Sequence, residues 1–381
     1  MTFVTKRRGK KSRPDPGQSR LRPAETAGSS QTPPRRALTT VWFDTLCAGG
    51  LSILILGAFF ALDIESMRQW RGSKIIVLTT LINFPHFIAS YRLLYGSREM
   101  IREYRWSSFY IPGLLILWST WAVASAMGSS ESYVAAELMF QVVSVYLAVH
   151  YTGQAWGTMS TFAHLEGLAF DTRERWIFLV CLRVFLVWHV IWAMRMWDLS
   201  AGVWDLSDGW LASALPVASA VINVAAVAAA LLGAVGFALF GLRTRRVPPL
   251  RIVVPFVAIC MWYAFFHVYP GGAIWVQVFH ALQYMIFPVR VEINRTIAHH
   301  PGVGSGGLTL HMIFYFATMV VLGYFVFQGV GDVLQLINSR ITDIGIVVGT
   351  AVNIHHYYVD GSVWKMSNPR VRAELFAHLR G

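Results

Sequence analysis

Charged residues are scarce in this chain. They make up 14% of its 381 residues, whereas a soluble domain typically has about 25%. Several apolar runs approach or exceed the length of about 20 residues that an α-helix needs to cross a bilayer. These runs are long and continuous, whereas a membrane β-barrel would need short alternating segments. The composition therefore excludes an ordinary soluble domain and predicts an all-α, polytopic integral membrane protein.

Cysteine is also scarce. The chain has 3 cysteines, Cys47, Cys181 and Cys260, and each lies inside an apolar run. None of them has the CxxC spacing of a thiolate metal site or a redox pair. The sequence therefore points neither to a disulfide framework nor to sulfur ligands for a metal.

The apolar runs predict ten membrane helices, with boundaries that hold within a few residues. Residues 1–40 and 359–381 then form two cytoplasmic tails around a transmembrane helical domain of residues 41–358. The span 211–241 is rich in alanine, which favours close packing against neighbouring helices. The predicted spans are 41–63, 74–95, 107–127, 133–157, 175–197, 211–241, 251–269, 272–294, 308–329 and 336–358.

Basic residues concentrate in alternate connections between these spans. The intervening connections hold few basic residues, with the first outer loop as the exception. Because cytoplasmic loops carry the excess of Lys and Arg, both termini are predicted to be cytoplasmic. The predicted location is a bacterial inner membrane. The basic segments are 98–105, 173–175, 243–251, 290–295 and 365–380.

The N-terminal segment 1–40 is strongly basic. Such a tail can bind nucleic acid, but ahead of a first membrane helix it also sets topology and attracts anionic lipid. We favour the second interpretation, with the lipid bilayer and no nucleic acid as the partner. The segment is rich in Pro, Ser, Gly and Thr and has no apolar face, so it is predicted to be disordered. Its basic residues are Lys6, Arg7, Arg8, Lys10, Lys11, Arg13, Arg20, Arg22, Arg35 and Arg36.

Histidines recur at one predicted depth of the membrane. His86, His150, His280 and the adjacent His355 and His356 lie on four of the even-numbered spans, between the bilayer centre and the cytoplasmic interface. Ionisable groups inside a membrane are costly and usually functional. A lone imidazole there is more often a hydrogen-bonded packing residue than a ligand. Four helices that contribute at one level favour a shared metal site, with three or four of these rings as ligands.

Polar residues accompany each histidine at helical spacing. Metal-bound imidazoles normally donate their other N–H to an amide, a carboxylate or a carbonyl, which fixes the ring and its tautomer. Asn83, Gln154, Gln283 and Asp360 are predicted to orient the rings in this way. Asp360 follows His356 by four residues, so a helix would place the two side chains on one face.

Three side chains near the predicted ligands are candidates for the chemistry itself. Asp360 is the best candidate for an acid/base carboxylate. Tyr284 and Tyr357 are predicted to position oxygen or substrate. Four further histidines are left open as possible members of the site: His189, His299, His300 and His311.

The donor set restricts the metal. Imidazoles with one carboxylate and no thiolate suit iron, copper or zinc. Non-haem iron with open positions binds oxygen, and a site inside a bilayer favours a lipophilic substrate that enters from the lipid. We therefore predict an iron-dependent membrane oxygenase, and a redox partner is compatible with this prediction. The alternatives are a bis-His haem-b electron carrier, a zinc-dependent lipid hydrolase or transferase, and a transporter or scaffold with structural histidines.

The segments around three of the histidines resemble a known family. The PHFIAS segment that contains His86, the His-Tyr pair at His150 and the helix with His280 look like the bacterial retinal-forming β-carotene dioxygenases (Brp/Blh). The resemblance implies a multi-helix membrane protein in which these three histidines bind iron and the substrate is a carotenoid or another lipid. Phe87 and Ser90 stand where the family pattern has a glycine and an acidic residue.

Overall fold

The chain folds into a helical bundle in a computed structural model that describes residues 37–62, 77–127, 132–196, 210–269, 272–337, 342–366 and 368–379. Within these residues every regular element is helical, which confirms the all-α prediction. Seven of the helices are long and apolar enough to cross a membrane, so the prediction of a polytopic membrane protein also holds. The N-terminal segment 1–36, on which most of the predicted disorder falls, lies outside the described residues.

The helices are numbered in chain order. They are α1 (Val41–Ala61), α2 (Phe84–Tyr95), α3 (Arg98–Glu103), α4 (Trp106–Met127), α5 (Val134–Leu165), α6 (Thr172–Met196), α7 (Trp210–Thr244), α8 (Leu250–Val268), α9 (Ala273–His299), α10 (Ser305–Tyr324, continued by a π turn at Phe325–Gly329 and by Val330–Ile337), α11 (Thr342–Val363) and α12 (Pro369–Leu375).

The predicted count of ten spans is not confirmed. The spans predicted at 74–95, 272–294 and 336–358 coincide with α2, α9 and α11. Within the described residues, these three helices are not among the seven that are long and apolar enough to cross a membrane. Each of the three carries a histidine of the predicted site. Their polar residues lower the hydropathy, and a membrane bundle tolerates such residues where they face its interior.

Four helices form the part of the bundle that positions the site. Helix α2 packs against α9 and α11, and α5 packs against the same two helices. The four therefore enclose a common interior. Each carries at least one of the histidines that were predicted to share a depth.

Helix α1 bends at Gly49, where it meets α8. The backbone φ of Gly49 is 144°. A Cβ atom at this position would lie 2.6 Å from the Cβ of Ala258 and 2.8 Å from the carbonyl oxygen of Val254. Glycine therefore allows both the bend and the close approach of the two helices. The bend lies beside Ala48, whose carbonyl reaches toward the site.

Small residues also bring α7 close to its neighbours, as its alanine-rich sequence predicted. A Cβ atom on Gly233 would lie 2.1 Å from Cζ of Phe256, and one on Gly236 would lie 3.0 Å from Cζ of Phe178. The two phenylalanines are buried and belong to the largest apolar core of the bundle. Helix α7 therefore contributes packing rather than polar chemistry.

The two ends of the described region lie together. Nε2 of His378 is 2.9 Å from the carbonyl oxygen of Ala37. Helix α12 is fixed to α9, because Nδ2 of Asn294 donates to the carbonyl of Glu374 at 2.8 Å, and Arg295 pairs with the Glu374 carboxylate at 2.6 Å. The segment that was predicted as a tail from residue 359 thus begins inside α11 and then packs on the bundle.

Candidate metal centre

Four histidines from four helices meet in the interior of the bundle. His86 on α2, His150 on α5, His280 on α9 and His356 on α11 each offer one nitrogen atom, and these atoms all lie within 4.8 Å of one another. All four side chains are buried. The structure therefore brings together four of the five histidines that the sequence predicted to share a site, although they are remote in sequence.

The closest pair in the cluster is His150 and His280, whose Nε2 atoms are 2.8 Å apart. A metal ion binds imidazole nitrogen at about 2.0–2.1 Å, so two ligands at 90–110° lie about 2.9–3.4 Å apart. The observed distance is close to this range. A hydrogen bond between two neutral imidazoles would give a similar distance, so the other nitrogen atoms decide between the two interpretations.

Several polar atoms of the cluster have no hydrogen-bond partner although they are buried. An unpaired buried polar atom costs about 1–3 kcal/mol, and native proteins contain few of them. A cation would bind one ring nitrogen of each histidine and so use lone pairs that are otherwise unused, and in this respect the residues fit a bound metal ion. The unpaired atoms are Nε2 of His86, Nδ1 of His280, both ring nitrogens of His356 and Oδ2 of Asp360.

Asp360 places one oxygen beside the cluster. Its Oδ2 atom is 3.4 Å from Nε2 of His356 and 3.9 Å from Nε2 of His150. The helical spacing of four residues puts His356 and Asp360 on one face of α11, as predicted. This depends on α11 continuing to Val363, which keeps Asp360 inside the bundle. The carboxylate can complete the coordination of a metal or exchange a proton beside it.

A directed chain of hydrogen bonds holds the other oxygen of Asp360. Nε1 of Trp364 donates to the hydroxyl of Tyr284 at 2.6 Å, and that hydroxyl is 2.6 Å from Oγ of Ser90. Oγ of Ser90 donates to Oδ1 of Asp360 at 2.7 Å. Because Ser90 uses its proton toward Asp360, its Oγ accepts from the hydroxyl of Tyr284. That hydroxyl in turn accepts from the indole N–H, which can only donate. The chain fixes the carboxylate and leaves Oδ2 free.

His86 is oriented by backbone rather than by the predicted amide. Its Nδ1 atom hydrogen-bonds the carbonyl oxygen of Asn83, the last residue of a π turn at Thr79–Asn83. A π turn interrupts the regular i to i+4 ladder, so a carbonyl in it is available to a side chain. An Nδ1–H donor leaves the Nε2 lone pair for the centre. Asn83 therefore holds this ring through its backbone carbonyl and not through its side chain.

The two glutamines also act differently from the prediction. Nε2 of Gln154 donates to the carbonyl of His280 at 3.0 Å and to Oε1 of Gln283 at 3.0 Å. Nε2 of Gln283 donates to the carbonyl of Ala48 at 2.6 Å. Neither amide contacts a ring nitrogen. The pair instead fastens α9 to α5 and to the bend of α1, and so fixes the backbone that carries His280.

Tyr357 covers the cluster with its ring. The ring stacks on that of His150, with centroids 4.5 Å apart and planes at 25°. Its hydroxyl donates to Oδ1 of Asn353 at 3.1 Å, and Nδ2 of Asn353 donates to the carbonyl of Gly349 at 2.7 Å. Asn353 thus supports Tyr357 rather than a metal ligand.

His355 lies outside the cluster, contrary to its inclusion among the predicted ligands. Its Nε2 atom is 2.7 Å from the carbonyl oxygen of Ser107, and its ring stacks on Tyr91 at 5.2 Å. Adjacent helical residues are about 100° apart around the axis. Because His356 faces the centre, His355 faces α4 and α2 instead.

The four histidines whose role was left open do not join the cluster. His189 is buried, and its ring lies beside those of Tyr151 and Tyr263. His311 pairs with Glu292 at 2.9 Å. His299 and His300 are exposed at the end of α9.

Sequence reasoning did not assign roles to Ser90 and Trp364. Each follows a site residue at the helical spacing of four, Ser90 after His86 and Trp364 after Asp360. The spacing shows that they share a face with the site. It does not show that the two meet through Tyr284, which comes from a third helix.

Comparisons of this chain with family models, with curated proteins and with solved structures give no match.

Proposed function

We propose that this chain is an integral membrane metalloenzyme that uses non-haem iron to oxygenate a lipophilic substrate. The observation that carries the proposal is the buried cluster of His86, His150, His280 and His356, which includes ring nitrogens without a hydrogen-bond partner and has the unpaired Oδ2 of Asp360 beside it. Burial of so many unpaired polar atoms without a cation would be costly.

The donor set supports a metal with oxygen chemistry. Imidazole nitrogens with a carboxylate oxygen suit iron, copper and zinc. Cys47, Cys181 and Cys260 are free and do not belong to the cluster. Non-haem iron with unfilled coordination positions supplies dioxygen binding when it is present. The four histidines would hold it, and Asp360 would either join them or take a proton at Oδ2.

A row of aromatic rings that leads from α10 to the cluster supports entry of a lipophilic substrate from the bilayer. The ring of Phe87 lies 4.3 Å from that of His356 and 4.7 Å from that of Phe327. Phe327 stacks on Phe84 at 4.8 Å and belongs to the π turn of α10, in which Phe325 is 56% exposed. These rings form a continuous apolar row from α10 to the cluster. The resemblance to the retinal-forming β-carotene dioxygenases makes a carotenoid the first substrate to test.

A bis-His haem fits the geometry less well. Two axial imidazoles bind the iron from opposite faces, so their coordinating atoms are about 4 Å apart at about 2.0 Å per bond, with the macrocycle between them. The Nε2 atoms of His150 and His280 are 2.8 Å apart, and the nitrogens of two more rings lie within 4.8 Å. A porphyrin would require these helices to separate. We expect no strong Soret band from the purified protein.

The experiment that tests the proposal measures metal and oxygen together. Full-length protein purified in detergent is analysed for bound metals, and oxygen consumption is followed with β-carotene in mixed micelles. We expect bound iron and oxygen uptake that depends on the carotenoid. A zinc-loaded protein without oxygen uptake would instead identify a zinc hydrolase or transferase. A protein without metal would leave structural histidines and refute the proposal.

The proposed orientation places both termini in the cytoplasm of a bacterial inner membrane. The contact between His378 and Ala37 supports an even number of crossings, because it joins the two ends of the described region. The basic connections support the cytoplasmic side. The site would then lie in the cytoplasmic half of the bilayer, where a soluble redox partner could reach it.

A further inference from the structure

A polar cavity opens at the end of the bundle where α2 and α9 finish and α10 begins. Its volume is about 290 Å³. Cationic and imidazole side chains dominate its wall, and a single carboxylate accompanies them. The residues that matter are Arg92, Glu292, Arg295, His299, His300 and His311.

The carboxylate of Glu292 is already engaged by three N–H groups of the cavity wall. Nη2 of Arg92 donates to its Oε1 at 2.6 Å, and Nε of Arg92 donates to its Oε2 at 3.2 Å. Nε2 of His311 is 2.9 Å from Oε1. The Glu292 side chain is 7% exposed, whereas those of Arg92 and His311 are 45% and 40% exposed. The anion therefore lies at the base of the cavity, and the donors face its opening.

The rest of the wall adds donors. His299 and His300 are exposed, and even a neutral imidazole offers one N–H. Arg295 lines the cavity, although its partner Glu374 does not. The surplus of N–H groups over carboxylates favours an anionic ligand. Guanidinium and imidazole groups together are typical of phosphate recognition.

Apolar side chains beside the cavity place it at the membrane surface. Leu310 and Phe314 on α10 are 53% and 65% exposed, and Ile297 on α9 is 46% exposed. In a membrane bundle such side chains face lipid. A ligand in the cavity would thus have an anionic group among the donors and an apolar part along α10.

We infer that this cavity binds phosphate, carried by the headgroup of an anionic membrane lipid. The inference goes beyond the proposed oxygenase and requires no metal. Basic residues at the cytoplasmic surface attract anionic lipids, and the concave wall of this cavity adds a defined position to that general attraction. Free inorganic phosphate shares the same chemistry and is distinguished by the experiment.

The test measures equilibrium binding to the full-length protein in a neutral detergent. The probes are dioctanoyl phosphatidylglycerol, dioctanoylglycerol, which has no phosphate, and inorganic phosphate as a competitor. The test variant is H299E/H300E, which adds two negative charges to the wall. The control variant is R102Q/R246Q, which changes the net charge equally at exposed positions of the same basic end, outside the cavity. Both variants are checked for an unchanged thermal unfolding midpoint.

We expect phosphatidylglycerol to bind and dioctanoylglycerol not to bind. H299E/H300E should weaken binding about tenfold, and the control about twofold or less. Displacement by inorganic phosphate would identify the phosphate group alone as sufficient, and failure of displacement would identify the lipid as the source. Equal losses in the two variants, equal binding of the phosphate-free lipid, or no binding of phosphatidylglycerol would overturn the inference. None of these outcomes bears on the metal content, so the proposed function is tested separately.

Discussion

The Nε2 atoms of His150 and His280 lie 2.8 Å apart, although 130 positions separate the two residues in the chain. Two cationic rings would repel each other at this distance, so at least one nitrogen must present a lone pair. That lone pair can face either the other ring or a metal ion. The unpaired atoms of His86, His356 and Asp360 around the pair favour the ion.

Replacement of Asp360 by asparagine tests the role of its free oxygen. Asp360→Asn retains an acceptor for Ser90 but removes the negative charge that lies 3.4 Å from His356. We expect metal affinity to fall about 10–100-fold, measured by competition with a chelator. Asp332→Asn, at an exposed position of α10, serves as the control and should leave the affinity unchanged. Equal affinities in the two variants would show that the carboxylate does not contact the metal.

Replacement of Trp364 by phenylalanine tests the direction of the hydrogen-bond chain. Trp364→Phe removes the donor that binds the Tyr284 hydroxyl at 2.6 Å, so the hydroxyl can turn away from Ser90. We expect a loss of about 1 kcal/mol in the free energy of unfolding and slower oxygen uptake at unchanged metal content. Trp121→Phe, at a position 52% exposed, should change neither. Oxygen uptake that matches this control would contradict the role of the chain.

Replacement of Gln283 separates packing from ligand orientation. Its amide joins Gln154 to the carbonyl of Ala48, and neither hydrogen bond reaches a ring nitrogen. We expect Gln283→Leu to lower the free energy of unfolding by about 1–3 kcal/mol while the metal-to-protein ratio is unchanged. Thermal unfolding followed by circular dichroism measures the first quantity, and metal analysis the second. Loss of metal without loss of stability would instead support the role predicted from the sequence, in which Gln283 orients a metal-binding imidazole.

Cysteine labelling tests the proposed orientation. Ala377 is exposed near the end of the described chain, and Tyr133 is exposed at the opposite end of the bundle, before α5. Cys47 and Cys181 are buried, so they should react little with a membrane-impermeant maleimide. In intact bacterial cells we expect labelling of Tyr133→Cys and protection of Ala377→Cys. The reverse pattern would place the termini outside.

The sequence predicted that histidines from four helices would meet, because ionisable side chains inside apolar spans are costly unless they share a functional site. His86, His150, His280 and His356 each fall in a different even-numbered predicted span, and the structure unites them. The spacing of His356 and Asp360 likewise fixed a shared face. Both the choice of these histidines and the shared face of His356 and Asp360 follow from positions along individual helices.

The sequence did not predict contacts that depend on two helices or on an irregular turn. The π turn at Thr79–Asn83 offers a backbone carbonyl to His86. No pattern of side chains in the sequence predicts this turn. The distinction between His355 and His356 depends on how α11 is rotated against α4 and α5, which spacing alone leaves open. The link from Trp364 through Tyr284 to Ser90 joins three helices and appears only after they pack.

Adjacent histidines provide the most direct test of the metal centre. His356→Ala removes a ring from the cluster, whereas His355→Ala removes one that contacts Ser107 and Tyr91. The two full-length variants are purified in detergent and analysed for bound metal beside the unmodified protein. We predict that His356→Ala loses the metal and that His355→Ala retains it. Equal metal contents in the two variants, whether high or low, would contradict the proposed centre.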